Sequence, residues 1–130
     1  MPKTCMTTAK DFDLFKRTAN KWLRYFGMMG WRVEFQHGVD EDEDGARAMC
    51  GVNQPISDRV ASIALCKDWG SNAVVARDVE QAAFHETMEL LVWKLAAIAL
   101  EYGAPTERVI DETHHLIRTF ENTIFQDVKP

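Results

Sequence analysis

From Val79 to Leu100 the chain reads VEQAAFHETMELLVWKLAAIAL, and this run restricts the possible folds more than any other segment. Its residues are mostly strong helix formers, and apolar side chains fall on every side of the helix they make. Such a helix belongs inside a protein, covered by other elements on several sides. Yet His85, Glu86 and Glu89 sit in its middle. Buried charge is expensive unless it is paired or bound to a metal.

His85 and Glu89 are four residues apart and share one face, with Glu86 immediately beside them. This is the geometry of a His-Glu-x-x-His zinc helix with a glutamate in place of the second histidine. Catalytic zinc takes three protein ligands and leaves a position for water, whose pKa falls to about 7. His85 and Glu89 are therefore candidate ligands, and Glu86 the candidate general base. A third ligand must come from elsewhere, and His114, His115, Glu112 and Glu121 are available further along. In helical projection at about 100° per residue, Val109, Leu116, Ile117, Phe120 and Ile124 centre on one direction. His114 lies roughly 100° from that centre, at the border of the buried face, as does Glu121, whereas His115 falls nearly opposite. His114 is the expected third ligand, with Glu121 as a partner to a ligating histidine or as a substitute ligand. Zinc is the expected metal, and the glutamate, a harder and anionic donor, makes manganese or iron more plausible competitors.

The remainder predicts an α+β domain in the order α-β-β-β-α-α. Phe12, Phe15, Ala19, Trp22, Leu23 and Phe26 recur at helical steps after a Thr8 or Asp11 cap, and Gly27 and Gly30 end that helix. Residues 31–36, 46–52 and 59–66 read as strands of a small sheet of three or four strands, mostly antiparallel. Residues 67–78 read as a loop with room for a short extra strand. Gly103 and Pro105 close the site helix, and a last helix runs from Ala104 or Thr106 through Phe125. No repeat or linker divides residues 1–130, so a single domain is expected.

A net charge of −5 disfavours nucleic acid or an anionic membrane as partner. The longest apolar run, Leu90 to Leu100, is interrupted by Lys94 and is too short to span a bilayer. Cys5, Cys50 and Cys66 form no CxxC pair, and MPKTCMTTAKDFD lacks an apolar leader core, so a reducing cytoplasm is the expected compartment.

The segments AFHETMELLV (83–92) and ETHHLIRTFEN (112–122), in this element order, resemble zincin-like metallopeptidases, in particular small phage- and prophage-encoded ones. The resemblance implies a zinc hydrolase of peptide or amide bonds. His85, Glu89 and His114 would be its metal ligands and Glu86 its acid/base, in host cytoplasm if the chain is phage-encoded. It also implies an edge strand, 46–52 or 59–66, that holds an extended peptide by main-chain pairing. Glu89 is where the chain departs from the two-histidine pattern. The alternative is a non-catalytic, metal-stabilised interaction factor, for example a phage protein acting on a host protein.

Several other residues have ordinary readings. The run Asp40 to Asp44 is expected to be a solvated turn, and His37 an exposed histidine at a strand end. Tyr102 is expected to pack at a helix end. Trp22, Trp31 and Trp93 are core candidates, and Trp69 in its loop a surface contact.

Overall fold

The computed structural model describes residues 4–38 and 46–130. The acidic run Asp40 to Asp44 lies outside them. Helix α1 spans Ala9–Tyr25 and starts on a capping box in which Thr8 and Asp11 satisfy each other's backbone N–H. It ends in a Schellman motif: Gly27 at φ +68° bonds back to Arg24, and Met28 to Leu23. The long helix α2, Ala76–Glu101, ends the same way, with Gly103 at φ +89°, Gly103 N–H to Leu100 and Ala104 N–H to Ala99. Both stops fall at the expected glycines.

Three strands separate these helices: β1 (Arg32–His37), β2 (Ala48–Val52) and β3 (Val60–Leu65). The sheet order is β1-β3-β2. β3 is the apolar centre, and its Ala61, Ile63 and Leu65 are fully buried. The α+β class and layout follow the sequence reading. Antiparallel pairing holds for β2–β3, but β1 pairs with β3 in parallel, making the sheet mixed. β2 is left at an edge, and among the described residues it pairs on one side only.

Below the sheet, α1 and α2 enclose a core of Phe15, Ala19, Leu23, Ile63, Val79 and Ala83. A second cluster joins Trp22, Phe84, Met88, Ile117 and Phe125, bringing in α3 (Thr106–Asn122) and a one-turn α4 (Ile124–Asp127). The last helix is thus not continuous through Phe125. It breaks at Thr123 (φ −121°, ψ −79°), whose hydroxyl bonds back to the Thr119 carbonyl, and the break turns Phe125 inward.

Some expectations give way to the structure. Trp69 is buried, not a surface contact; its indole N–H donates to the Arg47 carbonyl, and the Arg47 guanidinium lies over its ring. His37 is half-buried, stacked on Phe12 and hydrogen-bonded to Thr7. Burial first, then the Lys67 charge, lowers its pKa. Trp22 is in the core, whereas Trp31 and Trp93 are half-buried, and Tyr102 is 85% exposed rather than packed. The largest departure concerns α2. It is buried on most sides from Val79 to Leu90, but Leu91, Leu95, Ile98 and Leu100 are all exposed. At 1.5 Å per residue α2 is about 39 Å long, longer than α1 and the sheet can cover. Among the described residues no helix is long and apolar enough to cross a membrane.

Candidate metal centre

α2 places Gln81, His85 and Glu89 on successive turns of one face, and that face forms a wall of a cleft of about 510 Å³. Residues 46–50, on the edge strand and just before it, line the opposite wall, and α3 contributes His114 and Glu121.

His85, Glu89 and His114 come together, each offering one ligand atom, with all three atoms within 4.8 Å of one another. Glu89 is central: its Oε1 lies 3.4 Å from His85 Nε2 and 3.5 Å from His114 Nε2. Tetrahedral zinc with bonds of about 2.0–2.1 Å has ligand atoms roughly 3.3 Å apart, so two of the three separations already match. The third, between the two histidines, is within 4.8 Å, and the His114 side chain is the most exposed of the three.

Behind the histidine stands a second carboxylate. Glu121 Oε1 is 3.4 Å from His85 Nδ1, and Gln81 Nε2 donates to Glu121 Oε2 at 2.8 Å. His85 can therefore face a metal through Nε2 while Nδ1–H donates to Glu121, the arrangement that fixes the tautomer of metal-bound histidines. The projection assigned His114 and Glu121 to the cleft, and both line it. His115 and Glu112 are exposed and do not line the cleft. Glu112 lines a different groove, between α2 and α3.

Glu86 is the most constrained group. It is 5% exposed, and its Oε2 is buried with no hydrogen-bond partner among the described residues. Burial, then the nearby Glu89 charge, pushes its carboxyl up to about 8. Burial by itself would lower the pKa of His85, but its bonds to Glu121 and Glu89 outweigh burial and carry it up to about 10. Burial would likewise raise Glu89 and Glu121, but their bonds to His85 hold both below the usual carboxylate range. The cleft thus gathers three carboxylates and favours positive charge. Cys50, on the cleft wall, is kept a neutral thiol by burial and then by the charges of Glu86 and Glu89.

The donor set fits a divalent cation. Nitrogen and carboxylate donors suit zinc, with iron and manganese next, and a bound cation would compensate the unpaired Glu86 oxygen. Sequence reasoning missed Gln81, although it lies four residues before His85 on the same face and helical periodicity could have found it.

These features define an α+β domain whose His85–Glu89–His114 group can hold a metal ion. Against known protein families, curated proteins and solved structures, the chain has no match.

Proposed function

We propose that this chain is a divalent-metal-dependent hydrolase of zincin type, acting with zinc on peptide or amide bonds of a protein or peptide. The observation that carries this reading is Glu86, a buried carboxylate with an unpaired oxygen beside three converging ligand atoms. A structural metal site needs its ligands but has no use for such a neighbour. A catalytic one requires a group with this placement.

His85, Glu89 and His114 hold the cation, which when bound supplies Lewis-acid polarisation of a carbonyl and makes water more acidic. Glu121 and Gln81 orient His85. Glu86 takes the proton from the attacking water and returns it to the leaving amine. Burial, then the Glu89 charge, holds its pKa at about 8, so that it is mostly protonated at neutral pH. An adjacent cation lowers it toward neutrality, where proton acceptance and donation are both accessible.

Substrate recognition falls to β2 and to an apolar groove. The outer edge of β2, unpaired among the described residues, borders the cleft and offers main-chain pairing to an extended peptide. A groove of about 390 Å³ between α2 and α3 shares Glu89 and His114 with the cleft, and its walls include Val92, Trp93 and Ile110. It would take a large apolar side chain next to the scissile bond.

Glu86→Gln tests this reading. Hydrolysis of a protein substrate should fall by about 10²–10⁴-fold, the usual contribution of a general acid–base, with metal content unchanged. Activity retained in the variant would refute the assignment. A second reading, a non-catalytic interaction factor, draws on the pairing of His85 with Glu89 and Glu121, and of Glu89 with His114, which can hold the cleft together by itself. It predicts a metal-independent melting temperature and no turnover of any substrate.

A further inference from the structure

The uncovered end of α2 carries an ordered pattern. Phe84, Met88, Leu91, Leu95, Ile98 and Tyr102 follow alternating steps of four and three, the seam of a coiled coil. Phe84 and Met88, the first two, are sealed inside by Trp22 and Phe125. The last four are exposed, Leu95 at 69% and Tyr102 at 85%. The seam continues out of the core and loses its partner.

Its flanks are asymmetric. Lys94 and Glu101 are seven residues apart and border the seam on the same side. Both are exposed, and neither makes an ion pair with any described residue. The other flank holds Val92 and Ala99, which are half-buried and line the groove toward α3 of the same chain. In an antiparallel pair, like flanks face each other. A two-fold axis between positions 94 and 101 therefore sets Lys94 against Glu101 of the second copy, and Glu101 against its Lys94. The stripe is complementary to itself in charge as well as in apolar spacing.

We infer that the outer half of α2 is a homodimer interface, in which two copies pack antiparallel along Leu91, Leu95, Ile98 and Tyr102. His85 and Glu89 lie more than about 100° around the helix from this seam, so both clefts stay open. The exposed seam is only about 17 Å long. Stable interfaces take about 800 Å² from each partner, so this dimer is a weak, reversible one.

Sedimentation equilibrium on the purified full chain tests the inference. Wild type should show a reversible monomer–dimer equilibrium with Kd roughly in the micromolar range. Leu95→Glu should be monomeric throughout. Lys94→Glu and Glu101→Lys should each weaken self-association by roughly tenfold, since each sets like charges face to face twice. Mixed one-to-one, these two variants should recover the wild-type affinity, because opposite charges then meet at both positions. All three sites are exposed, so melting temperatures should stay unchanged, and the mixing result needs no apolar substitution. A strictly monomeric wild type, an assembly larger than a dimer, a Leu95→Glu dimer, or a mixture no tighter than its components would each overturn it.

Discussion

The two halves of α2 invert the usual link between composition and burial: six of the twelve residues from Val79 to Leu90 are apolar, against nine of the eleven from Leu91 to Glu101, yet the inner half is the buried one. From Val79 to Leu90 the helix is enclosed by α1, β3 and the Phe125 turn, and its ionisable residues are drawn into one cleft. From Leu91 to Glu101 a more apolar stretch is half-covered by α3 on one side and exposed on the other, and its charges, Lys94 and Glu101, are solvated. Apolar content tells that a helix needs partners, but not where along it those partners stop. Their extent is set by α1, which ends at Tyr25, and by the sheet. The ionisable groups follow the same divide: where packing is complete they must pair, perturb one another or hold a cation.

Substitutions along α2 sharpen that contrast, beginning with the largest expected effect. Phe84→Ala empties a fully buried site against Trp22 and Phe125 and should destabilise the fold by about 3–5 kcal/mol in chemical denaturation. A loss below about 1 kcal/mol would mean that the inner half is not packed as described.

The metal-free protein should also respond to pH in a set direction. Glu86 and His85 bind protons more tightly folded than unfolded. Their stabilisation is therefore complete below the unfolded pKa and is lost as pH rises: from 4.5 to about 8 for Glu86, and from 6.5 to about 10 for His85. Thermal melts of chelator-treated protein should fall steadily from pH 6.5 to 8, where both losses overlap. Glu86→Gln should flatten part of that slope. Metal affinity should rise over the same range, because His85 must lose its proton to ligate. A melting temperature that climbs with pH in metal-free protein would contradict the site electrostatics.

The smallest effect belongs to the outer half. Leu95→Ala removes a largely exposed side chain and should change monomer stability by no more than about 0.5 kcal/mol in the same denaturation series. A loss comparable to that of Phe84→Ala would erase the contrast between the halves.

Much of this could be read in the sequence because it depends on local chemistry. Helix ends at Gly27 and Gly103 follow from the positive φ that a Schellman turn demands. His114 was separable from His115 because one residue, about 100° of helical rotation, divides a border position from a solvated one. What was not legible depends on long-range placement. The parallel β1–β3 pairing is decided by which strand the chain returns to, and strand periodicity does not encode that. Trp69 reads as a loop residue, yet the loop folds over Arg47 and buries it. The break at Thr123 interrupts an amphipathic pattern that continues on either side of it, so periodicity alone gave no signal. Glu86 was legible as a neighbour of the ligands, but its unpaired buried oxygen is a property of the packed cleft.

The central claim is a metal held by His85, Glu89 and His114, and metal content tests it most directly. Inductively coupled plasma mass spectrometry on protein purified without added metal should find about one zinc per chain in wild type. The zinc should be lost in both His85→Ala and His114→Ala, while Glu86→Gln keeps it. No metal in wild type even after zinc is offered, or a full complement surviving in His114→Ala, would contradict the account.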